Sequence, residues 1–353
     1  GLELYYNDIL TGKNGYKEYQ KDIYGYQIAG TPSITTEPED GKDIYLTIDT
    51  NVQMFVEEAI TKMEKVGVKW ATVTVADAES GEILGTGSVP NFDPNTKNIT
   101  NYYDPLVSYS YEPGSTMKIF SFMAAMENGV YNGNSKYTSG KIKIADSTIH
   151  DWNTTGWGRI TYNEGFYASS NVAASRLALK LGRSKLMAFY KKVGFGKKTG
   201  ITLPSEQSGK LTFKYQTEVA TAAFGQGILT TPIQNIQALT VVANDGDLVK
   251  PYIVSKITDP DTRKVIKKNK RKVTKNVVRK KTTEEMKNLM YGVVNGKGTY
   301  PTPTGVEYQV ANLDVIGKTG TAEVAAKGGY SKGSSNLTKS FAAMFPKDDP
   351  KII

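Results

Sequence analysis

Apolar and polar positions change rhythm several times along this chain. Residues 1–41 are polar and turn-rich, with Gly12, Gly15, Gly25, Gly30, Pro32 and Pro38, and read as the tail of a preceding module plus a linker. From Asp43 the pattern tightens. Ile44-Tyr45-Leu46-Thr47-Ile48 alternates as a strand does. Thr50 and Gln53 have the spacing of a capping box, and Val52, Phe55, Val56, Ala59, Ile60 and Met63 then recur at helical spacing as far as Gly67. Ala71–Ala76 and Ile83–Gly87 flank Glu79-Ser80-Gly81, which predicts a hairpin. The domain therefore opens strand, helix, hairpin.

A polar loop from Pro90 to Tyr109 leads to Tyr111-Glu112-Pro113-Gly114-Ser115-Thr116-Met117-Lys118. Ser115 there opens an apolar run, Ile119 to Met126, that stops at Asn128-Gly129. The start and stop signals predict a helix. Residues 130–230 read as mainly helices and loops, with helices near Val172–Leu181 and Ser184–Val193. Thr231-Pro232 starts another, ending at Asn244-Asp245-Gly246. Thr282 and Glu285 cap a helix that ends at Asn295-Gly296, and two strands close the chain, Val315–Val324 and Ser340–Phe345. Strands at both ends, joined by hairpins, with helices between, predict an antiparallel sheet in the α+β class.

Composition narrows the chemistry. With 353 residues, 39% hydrophobic and 22% charged, the chain has ample material for a core. No apolar run reaches eighteen residues, and no signal peptide is present. Cysteine is absent, which excludes disulfides and thiolate chemistry. His150 is the only histidine, so a multi-histidine metal site is impossible, and neither metal nor cofactor is expected. Much of the net charge of +9 sits between Lys264 and Lys281. Such a run reads first as solvated surface, and second as a contact for an anionic cell-wall polymer or lipid headgroup. No RNA-binding signature or zinc-finger spacing accompanies it, so nucleic acid is not an expected partner.

Three short motifs carry candidate chemistry. Ser115 and Lys118 are three apart, so on a helix they share a face, and a serine beside an amine is a nucleophile beside a base. On spacing alone, a helix-capping serine followed by an exposed lysine is the plainer reading. Ser169-Ser170-Asn171 precedes the Val172 helix and by itself reads as an ordinary cap. Gly317-Lys318-Thr319-Gly320-Thr321 sits in a strand pattern, where glycines admit close approach of a backbone or ligand. It is not a phosphate-binding P-loop, because Asn312 stands where that motif needs glycine. Lys198-Thr199-Gly200 spells the same tripeptide, but it follows Gly194-Phe195-Gly196 and precedes Leu203-Pro204, and is assigned a structural turn.

In this order the three motifs resemble the signature of penicillin-binding proteins and serine β-lactamases. The likeness extends to Ile144–Trp152, Phe224-Gly225-Gln226-Gly227 and Ala243-Asn244-Asp245-Gly246, which look like class B penicillin-binding proteins of the Gram-positive, cell-division type. Residues 42–353 resemble the transpeptidase domain closely, and 1–41 the remnant of an N-terminal pedestal loosely. The resemblance implies an antiparallel sheet with helices on both faces and an all-helical subdomain. It implies a D,D-transpeptidase that cross-links peptidoglycan stem peptides and is acylated by β-lactams, held at the extracytoplasmic face of the cell membrane. Its partners would be the stem peptide or a lipid-linked precursor, and a division or elongation glycosyltransferase.

The roles carried over are equally specific. Ser115 is the nucleophile and Lys118 its base, kept neutral by desolvation and by Lys318. Ser169 relays a proton to the leaving amine, and Asn171 binds the substrate amide. Lys318, Thr319 and Gly320 form the strand motif that holds the substrate carboxylate. The backbone N–H groups of Ser115 and Thr321 make an oxyanion hole, with Thr321 also at the substrate, and Trp152 lines the groove. The chain stops at Lys351-Ile352-Ile353, where the family's sheet continues with a further strand and a C-terminal helix. Alternatives are a D,D-carboxypeptidase, a non-catalytic β-lactam sensor, or a polyanion-binding protein. A β-lactamase is disfavoured, since the second motif reads Ser-Ser-Asn and no Glu-x-x-Leu-Asn pattern occurs.

Overall fold

The expected opening order of strand, helix and hairpin is realised as β1 (Asp43–Leu46), α1 (Thr50–Val66), β2 (Ala71–Ala76) and β3 (Ile83–Val89). The computed structural model describes residues 1–323 and 337–353, and the backbone alone at 325–326 and 329–330. Strands β2 and β3 pair antiparallel from Ala71↔Val89 to Val75↔Gly85, with a bulge before Ala76. Helix α1 lies directly on this hairpin. A Cβ at Gly87 would come within 2.9 Å of Ile60 and 3.0 Å of Val56, so only glycine admits the helix at this distance. Val56, Ile60 and Val89 form the buried seam, while Phe55, expected on the apolar face, is exposed.

The cap of α1 differs from expectation. Asp49, not Thr50, is the N-cap, its carboxylate accepting from Asn51 N at 2.9 Å and Val52 N at 3.1 Å. A carboxylate one residue earlier reaches the free N–H groups of the first turn and displaces the hydroxyl from that role. Gln53 is thereby released to cross to the hairpin, where it accepts from Thr86 N at 2.9 Å and donates to Thr86 O at 3.0 Å.

Ser115 lies on a 3-10 turn, Gly114–Met117, rather than on the α-helix itself, and α2 (Lys118–Glu127) continues from it. Helix α2 is buried along nearly its whole length. It shares one core with α3 (Asn171–Leu181) and α4 (Pro232–Ala243), the latter started by a Thr231/Gln234 capping box with Pro232 in its first turn. Strand β4 (Val254–Thr258) pairs with β1. Helix α5 (Lys280–Asn295) begins two residues before the predicted Thr282, which is buried and donates its hydroxyl to Glu127. Strands β5 (Ile316–Glu323) and β6 (Leu337–Met344) run antiparallel in unbroken register, Ile316↔Met344 to Glu323↔Leu337. Val324, predicted as the end of β5, lies outside the described residues.

The architecture is the mixed α+β one expected, with a difference inside the helical part. Lys136–Thr138 pairs with Arg159–Thr161, and Lys141–Ile144 with Ser147–His150, so this part carries short strands as well as helices. The alternation Lys141-Ile142-Lys143-Ile144 spans four residues, too few to stand out as period two. The last residues bridge the two ribbons. Ile353 exchanges hydrogen bonds with Ala76 at 2.9 and 3.0 Å, and Ile352 with Phe345 at 3.1 Å in both directions.

At the other end of the chain, Tyr6 is buried with Ile201, Leu203 and Ile253, and Leu2 and Ile9 pack beside it. The basic stretch is surface, with Arg279 and Lys280 at the start of α5 paired to Glu127 and Asp245. Among the described residues no helix is long and apolar enough to cross a membrane. The cap assignment makes a direct comparison. Asp49→Ala should lower the unfolding free energy by about 1 kcal/mol in urea titrations, and Thr50→Ala by a few tenths. Equal effects, or the reverse order, would return the cap to Thr50.

Candidate active site

The turn that carries Ser115 is wedged between two backbones. Gly114 has φ +57, and a Cβ there would lie 2.6 Å from Thr321 O on β5. On the other side a Cβ at Gly225, φ +81, would lie 2.2 Å from Gly114 O. Gly320 repeats the pattern, with Ser340 Oγ at 2.2 Å and Pro113 O at 3.1 Å from its absent Cβ. Glycine is thus required where turn and strand meet. Residues i and i+3 eclipse on a 3-10 turn, which places Ser115 against Lys118.

Lys118 is fully buried, and its Nζ donates to Ser115 Oγ at 2.9 Å. The same amine reaches Ser169 O at 2.6 Å, Asn171 Oδ1 at 2.8 Å and Ser169 Oγ at 3.2 Å. Lys318 on β5 is also fully buried, and its Nζ lies 2.8 Å from the same Ser169 Oγ. Two buried amines therefore share one hydroxyl. Burial pulls Lys118 down to about 7, against the opposing pull of the Asp151 carboxylate. Burial likewise holds Lys318 well below the usual lysine range, and the neighbouring Lys118 pushes the same way. Two ammonium ions around one hydroxyl are disfavoured twice, by desolvation and by each other.

The middle motif is bound to both. Ser169 sits at φ +58, a conformation that a non-glycine residue holds only when its surroundings impose it. Ser170 supplies the cap expected for α3, accepting from Ala173 N at 3.0 Å. Beneath it Asp151 is buried and accepts from Ser170 Oγ at 2.9 Å, Val172 N at 3.0 Å and Gly140 N at 2.7 Å. Asn171 is clamped at both ends of its amide, since Nδ2 also donates to His150 O at 3.0 Å. Trp152 stands at the rim, 64% exposed, with Nε1 donating to Ala168 O at 2.8 Å and its ring edge-on to Trp157.

All three motifs converge here. Thr319, partly exposed, points to the same side as Thr304, their hydroxyls 2.6 Å apart. The decoy tripeptide does not join them. Thr199 and Gly200 donate three hydrogen bonds to the buried Glu206 carboxylate, at 2.6, 2.7 and 3.0 Å, as a structural turn would. Three contributors escaped the sequence reading. Asp151 and Gly225 lay inside stretches noted for resemblance without a role, and nothing in the local sequence marks Thr304. Chemically the arrangement offers a half-buried hydroxyl, a base poised near neutrality, and a second amine held by Ser169 Oγ and the Thr319 carbonyl.

Comparison with known proteins gives the family. Residues 71–353 match the family model described as the penicillin binding protein transpeptidase domain. Stage V sporulation protein D of Bacillus subtilis (strain 168) is 35% identical over 365 residues, covering 100% of this chain and 55% of that protein. Peptidoglycan D,D-transpeptidase MrdA of Escherichia coli (strain K12) is 29% identical, over 92% of this chain and 54% of its own length. The crystal structure of penicillin binding protein 2X from Streptococcus thermophilus is similar with a TM-score of 0.87 at 33% identity, covering 100% of this chain and 54% of that one. The chain thus spans about half the length of these relatives.

Asp151 makes the site's support testable apart from its chemistry. Removing the carboxylate in Asp151→Ala strands two N–H groups and a hydroxyl, each costing about 1–3 kcal/mol when buried. A fall in unfolding free energy of at least about 2 kcal/mol is expected in urea titration. A change within about 0.5 kcal/mol would mean that water replaces the carboxylate there.

Proposed function

The chain belongs to the penicillin-binding protein transpeptidase family, its relatives being class B members, and from that premise we propose that it is a serine-type D,D-transpeptidase of peptidoglycan, with Ser115 as the acyl-accepting nucleophile. The observation that carries the proposal is the 2.9 Å contact from a fully buried Lys118 amine, drawn down to about 7, to Ser115 Oγ.

The steps follow from the residues. Ser115 Oγ attacks the carbonyl carbon before the terminal D-Ala of a stem peptide, and its proton passes to the neutral amine of Lys118. The carbonyl oxygen becomes an oxyanion facing the backbone N–H groups of Ser115 and Thr321, on turn and strand held together by Gly114. As the intermediate collapses, the C–N bond breaks and the leaving amine takes a proton through Ser169, whose hydroxyl lies between the two lysine amines. An acyl-enzyme ester on Ser115 remains. The amine of a second stem peptide then attacks the ester, and the same groups run in reverse.

Lys318, with Thr319 beside Thr304, is the carboxylate site, and Gly320 leaves the strand open to the turn. A bound carboxylate favours the charged form of Lys318, against the burial that lowers it. A charged Lys318 in turn favours the neutral form of Lys118. Asn171 orients Lys118 as well as the substrate amide, and Trp152 forms the outer wall. A β-lactam enters by the same route. Its ring amide opens on Ser115 and its leaving group stays tethered, so the ester persists. Related penicillin binding protein 3 from Mycobacterium tuberculosis has been solved with ampicillin and with aztreonam. We place the domain on the extracytoplasmic side of the membrane, where stem peptides are cross-linked.

Intact-mass measurement after exposure to a penicillin tests this. One adduct per chain is expected, persisting for hours, and none on Ser115→Ala. Lys118→Ala should slow adduct formation by about 10²–10⁴-fold. Labelling of Ser115→Ala would remove the nucleophile. Rapid loss of the parent's adduct would indicate a hydrolase instead of a transpeptidase.

A further inference from the structure

The decoy tripeptide at 198–200, set aside from catalysis, lines a cavity of its own. The cavity is about 290 Å³ and its wall includes Lys197, Lys198, Lys250 and Lys272, with no aspartate or glutamate among its lining residues. It lies between the middle of α4, at Gln237, the Lys197–Thr199 loop, the Leu248–Lys250 segment and the Lys272–Thr274 segment of the basic stretch. It contains none of the residues gathered around Ser115. Among the described residues none of these four lysines is in an ion pair, although other surface lysines, such as Lys62 and Lys280, are.

The arrangement is built rather than incidental. Lys250 is half-buried, and its Nζ lies 2.8 Å from where a Cβ of Gly200 would be, so the glycine of the tripeptide leaves room for the ammonium. Its backbone N–H donates to Lys272 O at 2.9 Å, which fixes these two lysines beside each other. Lys197 is anchored through its carbonyl, which accepts from Gln234 Nε2 at 2.7 Å. Glu206 lies behind this wall, its carboxylate occupied by Thr199 and Gly200, and forms no ion pair with Lys250 among the described residues. Burial, together with Lys272 and Lys267, pushes the Lys250 amine below its ordinary range, and Glu206 only partly opposes this. Gln237 supplies a second, independent sign. It is 6% exposed and lines the cavity, and among the described residues its Oε1, which lies beside Gly194, has no hydrogen-bond partner. Thr274 adds a hydroxyl to the wall.

We propose that this cavity is a binding site for a phosphate-bearing anion of roughly diphosphate size, separate from the transpeptidase centre. The lysines supply the charge, and the Gln237 amide with the Thr274 hydroxyl supplies directed hydrogen bonds. Ligand chemistry fixes the group, and the source is either a free phosphate compound or a phosphate carried on a lipid headgroup.

Calorimetric titration of the whole chain with inorganic pyrophosphate at fixed ionic strength is the test, with vesicles of phosphatidic acid in phosphatidylcholine as a second arm. One saturable site is expected, weakened about tenfold or more in Lys250→Gln and in Lys272→Gln. Gln237→Leu should also weaken binding, whereas a purely electrostatic surface would not register it. All three variants should still be acylated by penicillin at the parent's rate, which separates this site from the proposed catalytic one. Binding of pyrophosphate alone identifies a free phosphate ligand, and variant-sensitive vesicle binding identifies a headgroup. Absence of saturable binding in both arms overturns the proposal. So does binding that the three variants leave unchanged.

Discussion

Two lysine amines lie at zero exposure around the hydroxyl of Ser169, one from the end of the Ser115 turn and one from β5. Burial of an ammonium ion is among the most expensive events in folding, and two together raise the cost further. The surrounding structure is arranged to hold them regardless. Glycines at 114, 225 and 320 let three backbone segments meet without side chains between them. Ser169 is held in a left-handed conformation, and Asp151 gathers Ser170, Val172 and Gly140 beneath it. What would destabilise an ordinary core here leaves an amine poised to lose its proton, and that amine touches Ser115.

The large core explains how such a site survives. Helix α2 is buried on nearly every side and packs with α3, α4 and α5 in one cluster. That cluster fixes the base of Lys118 from below, while the β5–β6 ribbon fixes Lys318 from the other direction. The catalytic proposal and the stability of the domain therefore meet in the same residues. The cationic cavity at Lys250 is a separate matter, formed where the basic stretch lies beside the middle of α4.

Much of this was legible in the residues. The strand–helix–hairpin opening, the α2 run and the β5–β6 pair all follow from period and punctuation, because each segment is long and its pattern consistent. The three motifs were legible as a set, since their order carried what no single spacing did. The caps of α1 and α5 were misplaced because Asp49 and Thr50 are adjacent alternatives, and because Thr282, buried inside a helix, looks like a cap in sequence. The short strands between 136 and 161 fall below the length at which period two is distinguishable. Thr304 had no signal at all, because its role depends on a chain crossing that brings it to Thr319. Sequence reasoning assigned the depression of Lys118 to desolvation and to Lys318. In the structure burial dominates, and the opposing charge is Asp151.

The central claim is that Lys118 acts as an uncharged base. The most direct measurement is the pH dependence of the rate constant for acylation by a β-lactam that does not itself titrate in the range. A neutral amine is needed, so the rate should rise with pH and level off above an apparent pKa near the value of about 7 that burial imposes. A rate that is flat from about pH 5 to 9, or one that climbs towards the 10.5 of an ordinary lysine, would contradict the account.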